Sequence, residues 1–146
     1  KTPFEIVKAI ILRDPSINSG QAADVTIVGC GALLYNALIA AEELSKEGIN
    51  VEVINSHTVK PLDAEAILNS VKKTNAVVSV EEHQIAGGLG SAVAEILAQN
   101  FPVPQEFIGV RDRFGESGEP DELIEAFGMG IKDIKAAVLK VIKRKK

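Results

Sequence analysis

The chain has 146 residues, of which 46% are hydrophobic and 25% charged, the balance of one soluble globular domain able to bury a real core. Its formal net charge of −4 argues against a general nucleic-acid or membrane-surface role. A single cysteine, Cys30, excludes a disulfide framework and a cysteine-based zinc site, and no apolar run approaches the roughly 20 residues that span a bilayer.

The start shows no signal-peptide pattern, so a cytoplasmic protein is expected, and Lys1–Thr2–Pro3 reads like a linker, as in a fragment of a longer chain. Ile6 to Leu12 is a β-branched apolar run that predicts a strand, broken by Asp14–Pro15, with a polar loop over Ser16 to Ala23. Val25 to Val28 barely alternates, as expected of a strand buried on both faces, and Gly29–Cys30–Gly31 ends it. A helix follows from about Ala32 to Lys46, with Leu34, Leu38, Ala41 and Leu44 at helical spacing and Gly48 as its stop. Val51 to Ile54 is a strand in which Glu52 marks a less buried neighbour. Asp63 is the N-cap expected for a helix over Ala64 to Lys73, with Glu65 in its first turn.

Ala76 to Val80 predicts another buried strand, and Ser91 to Gln99 another helix. Phe107 to Val110 is a short last strand, Arg111 to Glu119 a loop, and Pro120–Asp121 opens a short helix to Phe127. The final helix carries Ile131, Ile134, Val138, Val141 and Ile142 on one face. The basic run Lys143 to Lys146 reads as a solvated tail that complements the helix dipole. Successive strand–helix units imply a single three-layer α/β/α domain over residues 1–146, with parallel strands joined by right-handed crossovers.

Chemistry concentrates between Val77 and Leu97. There a strand ends in Glu81, Glu82 and His83, a glycine patch follows (Gly87, Gly88, Gly90), and a helix opens at Ser91. Adjacent carboxylates on a strand point to opposite faces, which precludes their working as a paired general acid and base. The segment after Val25 imitates a dinucleotide fingerprint in Gly29 and Gly31. Its third position is Leu34, and no acidic residue follows at the ribose-binding distance, so nicotinamide binding is not expected. There is no phosphate-loop pattern, no G-x-S-x-G elbow, and the two histidines, His57 and His83, sit on different strand ends.

VEEHQIAGGLGSAVAE at Val80–Glu95, TVKPLD at Thr58–Asp63 and FGESGEPDELIEAFGM at Phe114–Met129 together resemble the C-terminal domain of transketolases. The opening PFEIVKAIILRD and ADVTIVGCG are also similar to the start of that domain. Related domains close 1-deoxyxylulose-5-phosphate synthase and the beta subunits of 2-oxo acid dehydrogenases. The resemblance implies a mixed five-stranded sheet in the order 1-3-2-4-5, the first strand antiparallel to the rest. It implies an enzyme of the pentose phosphate pathway, a homodimer that transfers two-carbon ketol units between sugar phosphates with thiamine diphosphate and a divalent cation (Mg or Ca). In the family the cofactor lies between two preceding domains. The Gly-Asp-Gly motif of the diphosphate site is absent from this chain, and the pyrimidine-binding domain would lie upstream or on a separate subunit. The expectation is therefore a structural, dimer-supporting domain, inactive alone, with no catalytic, cofactor-binding or metal residue of its own.

A different class of function also fits the residues. Arg111 and Arg113 would offset Glu81 and Glu82 if they reach the same edge. The crevice at the carboxyl ends of the strands would then be a small-anion or effector site, using the N–H groups of the helix at Ser91. Its contacts would come from Glu81, Glu82, His83, Gly87, Gly88, Gly90 and Ser91. Alternatively His83 bonds the loop backbone and holds the glycine turn, His57 is an ordinary loop residue, and Ser117 bonds within its own turn.

Overall fold

The computed structural model describes residues 4–145, the side chain at position 18 excepted. The linker reading at Lys1–Thr2–Pro3 and the last residue of the basic run lie outside them. In chain order the elements are β1 (Ile10–Arg13), α1 (Pro15–Ser19), β2 (Val25–Gly29), α2 (Leu33–Lys46), β3 (Val51–Asn55), α3 (Ala64–Thr74), β4 (Val77–Gln84), α4 (Leu89–Asn100), β5 (Gln105–Val110), α5 (Pro120–Ala126) and α6 (Ile131–Ile142). The strands form one sheet in the order β1-β3-β2-β4-β5. β1 runs antiparallel to β3, while β2, β3, β4 and β5 are mutually parallel.

Strand periodicity divides the core between the two faces. Val25 and Ile27 of β2, Val51 and Val53 of β3, and Val78 and Val80 of β4 pack with Leu33, Ala37, Leu44, Ile134 and Val138 of α2 and α6. The alternate residues Val28 and Val77 pack with Ile67 and Val71 of α3 and with Leu89, Val93 and Leu97 of α4. Each fully buried aliphatic side chain contributes about 1.5–3 kcal/mol. The same alternation dictates where polar residues on these strands must point.

Several expectations are corrected here. β1 starts at Ile10 rather than Ile6. Val7 turns the chain with a positive φ of 77°, and its N–H donates to Thr58 Oγ1 at 3.1 Å. Asp63 explains why the run stays off the sheet. It caps α3 through Oδ1 to the Ala66 N–H, as expected, and takes the Ala9 N–H on Oδ2 at 2.9 Å. The segment after Asp14 is not all loop. Asp14 accepts the Ser16 N–H at 2.9 Å, Pro15 starts the helix, and left-handed Gly20 ends it.

The buried stripe of α2 is Leu33, Ala37, Ala40, Ala41 and Leu44: Ala41 and Leu44 lie on it as expected, while Leu33 and Ala37 take the places expected of Leu34 and Leu38, which are only partly buried. Glu52, expected to mark a less buried side of its strand, is wholly buried. The basic run is not a solvated tail either, since Arg144 bonds Glu106 and the Gln105 carbonyl, and Lys145 bonds the Asp24 carbonyl.

Candidate functional site

β2 is the central strand, with β3 on one side and β4 on the other, so chain connections leave it in opposite directions. This topological switch point is where open α/β sheets bind ligands. Its rim is built from the β2–α2 turn, the end of β4 and the loop into α4.

Glu81 and Glu82 end β4 on alternate faces. Glu81, 1% exposed, turns toward the α3–α4 layer, and its two carboxylate oxygens accept the N–H groups of Leu89 and Gly90, each at 2.8 Å. Glu82 turns toward the α2 layer and accepts the Leu33 N–H at 2.6 Å. Each carboxylate therefore caps a helix N-terminus, where the unpaired donors and the dipole favour negative charge.

The glycines make room for these caps. Gly31 has φ +76°, and a Cβ there would collide with the Glu82 carboxylate. A Cβ at Gly88 would collide with the Glu81 carboxylate and the Gln84 carbonyl, and one at Gly90 with Ser79 Oγ and the Phe107 ring. Gly87, at φ +82°, has open space around it, so its role is conformational. Ser91 pins the loop, its hydroxyl donating to the Ile85 carbonyl at 2.8 Å and accepting the Gly87 N–H at 2.9 Å.

His83 does not hold the turn. Its ring is exposed, and among the described residues nothing hydrogen-bonds to it. Gln84 braces the end of β4 instead, its Oε1 accepting the Asp112 N–H at 2.8 Å. His83, Cys30, Val59 and Glu81 line a cavity of about 400 Å3. Cys30 offers it no nucleophile: burial first, then the charges of Glu81 and Glu82, push its thiol pKa up to about 11.

The arginines do not bond the two glutamates. Arg111 donates to the Phe107 carbonyl at 2.8 Å. Arg113 pairs with Glu116 and lies 4.2 Å over the Phe127 ring, sharing with Glu82 only the wall of a cavity of about 280 Å3. No local bond of Ser117 is found among the described residues. His57 does more than a loop residue, because its Nε2 is 3.1 Å from the Glu5 carbonyl and its ring is 4.6 Å from that of Phe4.

What this arrangement can do chemically is restricted. An anionic group would need the N–H groups at Leu33, Leu89 and Gly90, and the chain's own carboxylates already hold them. Among the described residues no group of three His, Cys, Asp or Glu is placed to hold a metal ion. The residues do not fit a diphosphate with its cation.

Residues 17–134 match the family described as transketolase, C-terminal domain. The chain belongs to the transketolase C-terminal domain family. It is 49% identical over 142 residues to the 6-deoxy-6-sulfo-D-fructose transketolase subunit SqwH of Clostridium sp. (strain MSTE9), covering 97% of this chain and 42% of that protein. It is 41% identical over 138 residues to the 1-deoxy-D-xylulose-5-phosphate synthase of Trichormus variabilis, covering 94% of this chain and 21% of that one. A solved structure described as a split gene transketolase, inactive beta4 tetramer, superposes with a TM-score of 0.89 at 41% identity, covering 98% of this chain and 45% of that chain. The chain thus spans less than half the length of these relatives. In this transketolase C-terminal domain, Glu81 and Glu82 of the signature are a pair of helix caps, with Gly31 and Gly88 making room for them.

Proposed function

We propose that the chain is the structural and dimer-supporting C-terminal domain of a cytoplasmic transketolase, which moves two-carbon ketol units between sugar phosphates using thiamine diphosphate and a divalent cation. The observation that carries this reading is that Glu81 and Glu82 take the helix N–H donors at the switch-point crevice. A domain whose anion-binding donors at that edge are held by its own carboxylates contributes rigidity and surface, while diphosphate- and pyrimidine-binding domains contribute the chemistry. Those domains belong either to the same polypeptide or to a separate subunit. The coverage of the relatives supports this division, since each of them carries more chain than this domain.

Ketol transfer from a ketose phosphate to an aldose phosphate tests the reading. The 146-residue chain alone should give no turnover and no calorimetric thiamine diphosphate binding. Addition of the complementary domains should restore turnover that depends on both components. Turnover or micromolar cofactor affinity in the isolated chain would overturn it.

A further inference from the structure

Phe114, in the loop after β5, is 97% exposed, the highest value for a large apolar side chain among the described residues. Single exposed apolar residues are ordinary, but this one stands beside an apolar cavity that its own loop walls. Val110, Leu123, Phe127 and Met129 line that cavity of about 280 Å3, with Arg113 and Gly115 on the loop side. Arg113 turns inward over the Phe127 ring, while Phe114, the next residue, turns out into solvent. The domain thus carries an aromatic knob and an apolar hole side by side, with the knob outside its own hole. A cavity of about 150 Å3 suffices for benzene, so this one admits a phenyl ring.

The surface around the knob complements itself in charge. Arg113 pairs with Glu116, and Lys132 with Glu125. Arg111, before the knob, donates only to the Phe107 carbonyl and meets no carboxylate among the described residues. After the knob, Glu119, Asp121 and Glu122 meet no cation among them. Knob, hole and unpaired charges of both signs on one surface suit a two-fold contact, in which the same patch faces itself. Residues 111–122 are exposed without a break. That is roughly half of the about 20–30 residues that a stable interface takes from each side, so the contact is a weak one.

We propose that two copies of this chain associate about a two-fold axis by exchanging Phe114. Each ring enters the other copy's cavity against Phe127 and Met129, and each Arg111 faces the other copy's Glu119, Asp121 and Glu122. The contact names the surface through which the domain supports a dimer. It rests on that part of the function proposed above and not on ketol transfer, so turnover by the reconstituted enzyme succeeds or fails separately.

Sedimentation velocity of the 146-residue chain, from about 10 μM to about 1 mM, should show a monomer passing into a dimer. Phe114→Ala changes a side chain that is almost wholly in solvent, so it should fold normally and weaken the dimer at least about tenfold. Arg111→Glu should weaken it by a smaller factor, about threefold. The sequence has no tryptophan, so Phe114→Trp puts a single reporter on the knob. Its emission should move to shorter wavelength as the dimer forms and return on dilution. A monomer at every concentration, or a dimer as tight in Phe114→Ala as in the wild type, would overturn the proposal. So would an indole emission that ignores concentration, or one that shifts only when the complementary domains are added.

Discussion

The volume that a side chain at position 31 would fill is taken by the carboxylate of Glu82, which turns there to accept the Leu33 N–H. In a dinucleotide-binding turn the second glycine lets a phosphate approach the helix N-terminus. Here the approaching anion is covalently part of the chain. This explains why Gly29 and Gly31 imitate the fingerprint while the rest of it is missing.

That relationship is measurable as a coupling. Gly31→Ala pays for a left-handed φ, about 1 kcal/mol, and also displaces Glu82. Glu82→Ala removes the cap on α2, about 1 kcal/mol. The double variant has no carboxylate left to displace, so it should be more stable than the sum of the singles by about 1 kcal/mol in urea unfolding. Gly87→Ala, at φ +82° with open space around it, supplies the conformational penalty alone. Strict additivity would mean that Gly31 and Glu82 act separately.

Glu81 should matter more than Glu82, because it is more buried and accepts two N–H groups instead of one. Glu81→Ala leaves both donors of α4 without a partner and should cost about 3 kcal/mol, while Glu81→Gln keeps one acceptor and should cost about half of that. Chemical denaturation of the two variants checks the ranking. A loss below about 1 kcal/mol for Glu81→Ala would show that water replaces the cap.

The sheet order was legible only through the family motifs, which are spread over many residues, and the opposite aim of Glu81 and Glu82 through strand periodicity. What escaped was decided by single side chains acting at long range. Asp63 reaches back to Ala9 and shortens β1, and Lys73 lies within hydrogen-bond reach of Glu52, which lets a charged residue sit wholly inside the sheet. The α1 helix was readable in principle, from Asp14, Pro15 and Gly20 as cap, first turn and stop, but five residues carry no periodicity. Arg144 and Lys145 look solvated in a basic run until β5 and the Asp24 turn are known to lie beneath them. The candidate site followed the same division: its residues stood out in the sequence, but that Glu81 and Glu82 hold its N–H donors required the positions of two helix N-termini.

Cys30 should behave as a slow thiol. With its pKa at about 11, pushed there by burial and then by the two glutamates, only a trace is thiolate at neutral pH. Iodoacetamide should alkylate it about two orders of magnitude more slowly than a free cysteine of pKa about 8.5 at pH 8. The rate should climb about tenfold per pH unit without levelling off between pH 7 and pH 9.5. A plateau near pH 8.5 would place the thiol in an ordinary environment.

Glu106, at the start of β5, gives the fold an acid-sensitive clasp on α6. Burial alone would raise its carboxyl pKa, but hydrogen bonds and charge from Lys140 and Arg144 outweigh that and hold it below the usual glutamate range. A carboxyl depressed in the folded state stabilises the fold fully above its unfolded value and loses that contribution as pH falls through the folded one. Stability should therefore be level near neutrality and decline below about pH 4.3, with Glu106 among the groups responsible. Glu106→Gln should lower stability by about 1–2 kcal/mol at pH 7 and flatten the acid limb, because the variant has no proton to take up there. Equal acid slopes for the wild type and Glu106→Gln, measured by urea unfolding at pH 3 to pH 7, would assign the acid loss to other carboxylates and leave the α6 clasp insensitive to pH.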